Sequence, residues 1–394
     1  MDNNDSMAQV VVINQHSVNV GDEAAGYALL QRLSDSFRVG RIDIIYNGSA
    51  PIPSPTSSKE IIHHDFQLSL KKMGFLGIAV FLISGIKINN AIREFKETVE
   101  ASDFVIVAPG GANIGIYRDW RYLTRLLLVR KIGKEPIFHW NTIGSSGDRV
   151  FDFLASKVLR DSKLYVREKK SYEYLESLGL ECELGPDTAF FLDPISAQHD
   201  QGYIAFVPSE LDSWHPNFKN RPINQFVLDE YVPAIGSFAN KFDYAIKIIP
   251  HLRNATEKQF NEKVANVLRD MGCTVIADIK IDDFRDYDAA LANSSLVVGM
   301  RYHTAVLAAK NHRPFIALAY ENKALEVGRY TRMERYCIDL SGDLASGSTL
   351  FALLQELNEN KTEISSALKT VCEESLYPRV SYVLDTEMSD YKFI

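Results

Sequence analysis

Arg301 and His303, two residues apart in the last third of the chain, have the types and the spacing for acid–base chemistry on an anionic substrate. An arginine offers a planar guanidinium that holds a phosphate or a carboxylate through paired hydrogen bonds. A histidine titrates near neutral pH, so it can deliver or accept a proton. The structural alternative is an arginine that pairs with a neighbouring acid and a histidine that caps or packs, and by spacing alone this alternative is the more common.

The elements predicted around this pair place it where ligands bind in α/β folds. Residues 296–298 form a β-branched run that ends at Gly299, a helix-spaced apolar pattern follows, and a second strand is predicted at 315–320. In such a unit of parallel sheet, the loop after the first strand opens at the carboxyl edge, and the next helix presents N–H groups there. The pair lies in this loop.

Strand and helix patterns alternate along most of the chain. A polar segment at 193–202 lies near the middle and is the best candidate for a linker. We therefore predict an α/β protein with two Rossmann-like lobes, residues 1–197 and 198–394, the second ending in a helical tail at about 348–374. Two such lobes with a central cleft resemble the GT-B architecture. The other predicted strands cover residues 9–13, 41–46, 103–108, 136–140, 163–166, 203–207, 244–249 and 274–277.

The composition limits the class of protein and its partners. With 394 residues, 46% of them hydrophobic, the chain is long enough for two cores. Its 43 basic and 51 acidic side chains give a net charge of −8, which argues against nucleic acid as a partner. The N-terminus is acidic and polar, where a signal peptide would be basic and then apolar, so we expect a cytoplasmic location.

Neither a metal site nor a cofactor site is predicted. The chain contains no Walker loop, G-x-S-x-G elbow or G-x-G-x-x-G fingerprint. His63, His64 and His251 have no acid or cysteine at ligand spacing, so no metal ligand is assigned. The cysteines lack C-x-x-C or Cys/His spacing, which fits a reducing compartment. They are Cys182, Cys273, Cys337 and Cys372.

Two glycine-containing turns are further candidates for ligand contact. Gly110 and Gly111 follow the predicted strand at 103–108 and would let backbone N–H groups approach an anion or a sugar, although such a pair is also common in plain tight turns. Gly21 and Asp22 lie between the first predicted strand and the helix that begins at about Asp22, where they can form a tight turn with an N-cap, contact a ligand, or do both. Spacing alone leaves these alternatives open.

Short motifs spread from about Asn19 to Lys323 resemble, in order, those of the polysaccharide pyruvyl transferase family. Each motif is common alone, and their order and spacing together carry the resemblance. In this sequence they are Asn19-Val20-Gly21-Asp22, Gly110-Gly111-Ala112-Asn113, Arg167-Glu168 followed by Ser171, Pro186-Asp187-Thr188-Ala189-Phe190 and Gly299-Met300-Arg301-Tyr302-His303, the last followed by Tyr320-Glu321-Asn322-Lys323.

The resemblance implies transfer of a pyruvyl group from phosphoenolpyruvate to two hydroxyls of a sugar in a polysaccharide or glycolipid precursor, giving a cyclic ketal without a cofactor. Arg167, Arg301 and Tyr302 are then expected to bind phosphoenolpyruvate. His303 is expected to protonate its methylene carbon or to clamp the phosphate beside it. The remaining expectations are Asp22 and Glu321 as proton acceptors, Lys323 at the leaving phosphate, and Asn19, Gly110, Gly111 and Asn113 at the substrates.

Two functions of other classes remain open from the sequence. A nucleotide-sugar glycosyltransferase would use the same two-lobed frame, and a glycan-binding protein would need no catalysis. The apolar segment 73–86 also has two interpretations, because it is too short to span a bilayer. It is either a core helix of the first lobe or a surface that docks on the inner face of the membrane, where the acceptor would be a lipid-linked oligosaccharide.

Overall fold

A computed structural model describes residues 7–17, 19–47, 51–64, 90–195, 202–252, 254–277 and 279–377. These residues form two compact units. The second unit contains Asn19–Ala24 and the described residues from Leu192 onward, and the first contains the rest. The segment 73–86 lies outside the described residues. None of the helices within the described ranges is long and apolar enough to cross a membrane.

The first unit is an α/β unit built on one parallel sheet. Its strands follow the order β3-β2-β1-β4-β5-β6-β7. The elements are β1 (Ala8–Gln15), α1 (Val20–Asp35, whose first turn belongs to the second unit), β2 (Val39–Tyr46), β3 (Glu60–His64), α2 (Asn90–Ala101), β4 (Phe104–Val107), α3 (Trp120–Ile132), β5 (Pro136–Asn141), α4 (Arg149–Leu159), β6 (Lys163–Val166), α5 (Lys169–Ser177), β7 (Glu183–Leu184) and a 3₁₀ turn, Thr188–Phe191.

Strand β1 is buried on both faces of this sheet. Val11 and Ile13 enter one hydrophobic cluster, with α2, α3 and α4, whereas Val10 and Val12 enter another, with α1 and β2. Since neighbouring residues of a strand point to opposite faces, both must be apolar. This explains the continuous apolar run in the sequence.

The second unit repeats the design. Its parallel strands follow the order β10-β9-β8-β11-β12-β13. The elements are β8 (Tyr203–Val207), a 3₁₀ turn (Pro216–Phe218), a short helical turn (Asn224–Phe226), a π-helical turn (Val227–Tyr231), α6 (Val232–Phe242), β9 (Ala245–Ile248), α7 (Ala255–Asp270), β10 (Val275–Ile276), α8 (Phe284–Ala292), β11 (Leu296–Gly299), α9 (Tyr302–Lys310), β12 (Phe315–Ala319), α10 (Asn322–Thr331), a 3₁₀ turn (Glu334–Tyr336), β13 (Cys337–Asp339), α11 (Gly347–Glu359), α12 (Lys361–Val371) and a π-helical turn (Cys372–Leu376).

The predicted α/β class is confirmed, and each predicted strand is present with ends shifted by a few residues. Sequence patterns missed β3, β7 and β13, and all three are edge strands. Strand β3 has no buried residue, while β7 and β13 are only two and three residues long. Short, half-exposed edge strands lack the apolar run on which strand prediction depends.

Candidate active site

The carboxyl ends of β8 and β11 form the floor of the candidate site in the second unit. The two strands are neighbours, and Val207 is paired with Gly299, so both end at the same level. The chain leaves β8 towards β9 on one side and β11 towards β12 on the other. Such a divergence is where ligands bind in doubly wound sheets. A Cβ on Gly299 would lie 2.4 Å from Cγ2 of Thr304, so glycine is needed here for α9 to approach its strand.

Arg301 is held by three neighbours at the start of α9. Its Nη2 donates to Oε2 of Glu257 at 3.1 Å, and its Nη1 donates to the hydroxyl of Tyr320 at 3.3 Å. The guanidinium carbon lies 5.0 Å from the ring centroid of Trp214, a cation–π contact. The Nε atom is buried and has no hydrogen-bond partner among the described residues. Arg301 therefore keeps one buried donor that a ligand oxygen could satisfy.

Glu257 shows why this arginine stays charged. Burial lowers the pKa of Arg301, but Tyr320 and Glu257 raise it by more, so the net shift is upward. Burial conversely raises the pKa of Glu257, and Arg301 opposes that rise. Each group thus compensates for the burial of the other. The structural interpretation of Arg301, pairing with a neighbouring acid, is correct, and it leaves ligand contact through Nε open.

His303 is packed against the first turn of α1. A Cβ added to Gly21 would lie 2.0 Å from Nδ1 of His303 and 2.3 Å from its Cγ. The His303 ring also meets that of Tyr302 edge-on, with centroids 4.8 Å apart. His303 is only 6% exposed. The glycine of the N-x-G-D motif is therefore required by the histidine of the R-x-H motif.

Asn19 caps helix α1 and is hydrogen-bonded to Asp22. Oδ1 of Asn19 accepts from the backbone N–H of Asp22 at 2.8 Å, and Nδ2 of Asn19 donates to Oδ2 of Asp22 at 2.7 Å. Asn19 also forms an isolated antiparallel bridge with Leu252. The next residue, Glu23, accepts the backbone N–H of Phe284 at 3.1 Å. The predicted cap is present, because the Asn19 side chain accepts a backbone N–H of the first turn, and Asp22 is hydrogen-bonded to that side chain. Ligand contact by either residue stays a prediction.

Glu321 and Lys323 form an ion pair of 2.6 Å between Oε2 and Nζ. The other oxygen of Glu321, Oε1, lies 3.0 Å from Nε2 of His215. The ammonium of Lys323 is 5.8 Å from the ring centroid of Tyr302. Both oxygens of Glu321 therefore have partners, and its role as a proton acceptor stays a prediction.

The charges of Arg301, His303 and Lys323 all act on one buried residue, His251. His251 is 4% exposed and hydrogen-bonded to the hydroxyl of Tyr287 at 3.4 Å. Burial lowers its pKa well below the usual value, and the charges of Arg301, His303 and Lys323 lower it further. The three side chains therefore create a shared positive potential, which suits an anionic ligand.

In the first unit, Arg167 is at the centre of a buried network. It is 2% exposed. Its Nη1 pairs with Asp187 at 2.5 Å, Nη2 donates to the carbonyl of Gly110 at 2.8 Å, and Nε donates to Oγ1 of Thr142 at 3.2 Å. The arginine thus joins three of the family-like motifs at the carboxyl edge of the sheet. Each of its three nitrogens donates to the protein, and its direct contact with phosphoenolpyruvate stays a prediction.

Ser171 and Glu168 extend this network. Oγ of Ser171 donates to Oε1 of Glu168 at 3.0 Å and accepts the backbone N–H of Ile143 at 2.9 Å. The backbone N–H of Ala189 donates to Oδ1 of Asp187 at 2.8 Å. The R-x-x-x-S and P-D-x-A-F motifs therefore hold each other and the loop after β5.

Nothing in the described structure requires glycine at positions 110 and 111. A Cβ on Gly110 would lie 3.5 Å from Nδ2 of Asn113, and a Cβ on Gly111 would lie 3.4 Å from the ring of Tyr117, both ordinary contacts. Neither glycine has a positive φ. Asn113 closes the turn, with its backbone N–H 2.8 Å from the carbonyl of Gly111. Ligand contact at Gly110 and Gly111 stays a prediction.

The structure sorts the predicted residues into two groups. Gly110, Gly111, Asn113 and Arg167 belong to the first unit, whereas Asn19, Asp22, Arg301, Tyr302, His303, Glu321 and Lys323 belong to the second. Sequence reasoning missed Glu257 and His215 as partners of this second group. Glu257 had a signal, because Asn254-x-x-Glu257 is the spacing of a capping box. Asn254 does cap α7, but the Glu257 carboxylate turns to Arg301.

Comparisons with known proteins identify the family of the chain. The family model for polysaccharide pyruvyl transferase matches residues 19–322. The amylovoran biosynthesis protein AmsJ of Erwinia amylovora is 21% identical, over 93% of this chain and 96% of its own.

Two solved structures share the fold. MnaA of S. aureus with UDP gives a TM-score of 0.62 at 10% identity, covering 97% of this chain and 96% of its own. Anabaena Alr3699/HepE with UDP and glucose gives 0.60 at 12% identity, covering 98% and 100%. The predicted GT-B-like α/β fold is confirmed. Because the family model spans most of the chain and begins and ends at its predicted motifs, the chain belongs to the polysaccharide pyruvyl transferase family.

Proposed function

We propose that the protein transfers the pyruvyl group of phosphoenolpyruvate to two hydroxyls of one sugar, forming a cyclic ketal and releasing phosphate. The observation that carries the proposal is the geometry at the start of α9: Nε of Arg301 is buried without a hydrogen-bond partner among the described residues, and the Lys323 ammonium lies 5.8 Å from the ring of Tyr302, which meets His303 edge-on. Phosphoenolpyruvate has anionic groups at both ends, so several cations around one pocket suit it. Family membership supports a transferase that acts in polysaccharide biosynthesis.

His303 is the proposed general acid. Its imidazolium gives a proton to the methylene carbon, which becomes the methyl group, and the adjacent carbon becomes electrophilic. One sugar hydroxyl adds to that carbon and loses its proton. The second hydroxyl then displaces phosphate, which leaves with the bridging oxygen. The two hydroxyl protons balance those taken up by the methyl carbon and by the phosphate.

Arg301 and Lys323 are the proposed anion-binding groups. A substrate oxygen at Nε of Arg301 would satisfy the buried donor there, which costs about 1–3 kcal/mol when left unpaired. Lys323 would receive the leaving phosphate, and Tyr302 would line the pocket beside it. Asp22 is the proposed base, because it lies in the first turn of α1 next to Gly21, against which His303 packs.

The first unit is the proposed acceptor side. Its Gly110–Gly111 turn has room for a ligand to approach the backbone, and Arg167 holds that turn through its hydrogen bond to the carbonyl of Gly110. Arg167 would then act on binding by holding the turn, with Asn113 at its rim. A lipid-linked oligosaccharide reached at the inner membrane face remains our proposed form of acceptor.

Product analysis tests the proposal. Purified protein is incubated with phosphoenolpyruvate and separate β-galactoside, glucose and N-acetylmannosamine acceptors, and products are weighed by mass spectrometry. We expect one acceptor to gain a single pyruvyl ketal while an equal amount of phosphate appears. Parallel reactions contain nucleotide sugars in place of phosphoenolpyruvate. Glycosylated acceptor there, with no pyruvylated product in any reaction, would overturn the proposal in favour of glycosyl transfer.

A further inference from the structure

His215, which belongs to none of the motifs, is fixed inside the second unit beside the Tyr320–Glu321 dipeptide. It is wholly buried. Its ring centroid lies 5.1 Å from that of Tyr320 and 5.2 Å from those of Trp214 and Phe218. Aromatic rings therefore surround the imidazole on three sides and leave it little freedom to turn.

The hydrogen bonds of His215 define which nitrogen carries the proton. The backbone N–H of Asn217 donates to Nδ1 at 3.3 Å, because His215 caps the 3₁₀ turn Pro216–Phe218. A nitrogen that accepts cannot carry a proton, so the neutral ring is protonated at Nε2. This Nε2–H donates to Oε1 of Glu321 at 3.0 Å. His215 is thus a fixed donor to one oxygen of the carboxylate.

We infer that His215 is a positioning residue that sets the orientation of Glu321 and, through it, the place of the Lys323 ammonium. The carboxylate is held at one oxygen by His215 and holds Lys323 at the other, at 2.6 Å. A lysine side chain has four rotatable bonds, so an ammonium without this tether would sample many positions. The role of Lys323 towards the leaving phosphate rests on the proposed function, whereas the tether itself does not.

Two substitutions separate the tether from the cap. In His215→Asn the side-chain oxygen can still accept from Asn217, but the side chain is too short to donate to Glu321. In His215→Gln the amide nitrogen occupies the place of Nε2 and can still donate to Glu321, but the cap is lost. His312→Asn is the matched control in the same unit, since His312 has a φ of 57°, a conformation that asparagine tolerates. All variants are first checked for folding by circular dichroism.

The first measurement is turnover with phosphoenolpyruvate. We expect His215→Asn to lower kcat/KM about 10- to 100-fold, the usual effect of a misplaced catalytic group, and His215→Gln to stay within about threefold of the parent. A purely structural cap predicts the reverse order, and that reverse order would overturn the inference.

The second measurement needs no substrate and therefore remains decisive even if the proposed function fails. Acetic anhydride labels lysines, and mass spectrometry of peptides gives the rate at Lys323. We expect faster labelling in His215→Asn and in Glu321→Gln than in the parent, in His215→Gln or in His312→Asn. Equal Lys323 rates in all five proteins would refute the tether. If His215→Asn does not fold, Glu321→Gln provides the same comparison from the other side of the hydrogen bond.

Discussion

Gly21 lies so close to His303 that a Cβ on the glycine would be 2.0 Å from Nδ1 of the histidine. The two residues are 282 positions apart in the sequence, in the first and last motifs of the chain. Both belong to the second unit, because Asn19–Ala24 is part of it. The N-x-G-D segment therefore serves packing against His303 at the start of α1 as well as capping.

Gly21→Ala should damage the site more than the fold. The added methyl group must push the His303 ring away, which we expect to cost about 1–3 kcal/mol of unfolding free energy and about 100-fold in turnover. Gly144→Ala is the control, since its Cβ would meet nothing within 4 Å. Urea denaturation and steady-state kinetics measure both effects. A Gly21→Ala enzyme with the parent's turnover would show that the position of His303 does not matter.

His303→Ala should lower turnover about 100-fold or more, because general acid catalysis contributes about 10²–10⁴. The variant should keep its fold, and its affinity for phosphoenolpyruvate should fall much less than its turnover. Isothermal titration calorimetry and initial rates separate these quantities. Unchanged turnover in a folded variant would remove His303 from the mechanism.

Arg301→Met should destabilise the protein by about 3–5 kcal/mol, because it leaves the buried carboxylate of Glu257 without its partner. Adding Glu257→Gln should restore much of that loss, since the uncompensated charge is gone. Activity should stay absent in both variants. Recovery of activity in the double variant would mean that Arg301 serves only to neutralise Glu257.

Gly111→Ala should affect acceptor binding without affecting stability, whereas Gly185→Ala should lower the stability of the protein. The methyl group of Gly111→Ala has room, so we expect an unfolding free energy within about 1 kcal/mol of the parent, with a higher KM for the acceptor. A Cβ on Gly185 would lie 2.3 Å from the buried ring of Trp140, so that variant should lose about 1–3 kcal/mol by overpacking. An unchanged acceptor KM in Gly111→Ala would remove the turn from the acceptor site.

Asp43 should make the stability of the first unit sensitive to acid. Burial alone would raise the pKa of Asp43, but hydrogen bonds from His64, Arg41 and Gln9 lower it to about 2. Its contribution is complete above the unfolded value near 3.8 and is lost as the pH falls through about 2. We expect the stability advantage of the parent over Asp43→Asn to shrink by about 1–2 kcal/mol between pH 6 and pH 2. A constant difference in urea denaturation across that range would contradict this.

Most of the fold could be predicted from the sequence because its central strands are buried on both faces. Runs such as Val10–Ile13 had to be apolar throughout, and strand and helix periods alternate in the order that a parallel sheet requires. The edge strands β3, β7 and β13 carry no such constraint. The segment 73–86 lies outside the described residues, so both interpretations of it stay predictions.

The candidate site could be predicted from the sequence only in part. The order of the motifs singled out Arg301, His303 and Lys323, and in the structure all three contribute to lowering the pKa of His251. The partners Glu257 and His215 lie 44 and 106 positions away from the groups they bind. Their contacts depend on how β8, α7 and β11 assemble, which local patterns do not encode. The contacts of Arg167 with Asp187 and with the carbonyl of Gly110 could not be predicted for the same reason.

The most direct test of ketal formation follows the bridging oxygen of phosphoenolpyruvate. Substrate carrying ¹⁸O between carbon and phosphorus is incubated with the protein and the acceptor found in the product screen, and phosphate is analysed by mass spectrometry. Because the proposed second step breaks the bond between carbon and oxygen, the label should appear in inorganic phosphate, in an amount equal to the pyruvylated sugar. Unlabelled phosphate, with the label retained in free pyruvate, would mean that the phosphorus–oxygen bond breaks instead and would contradict the account.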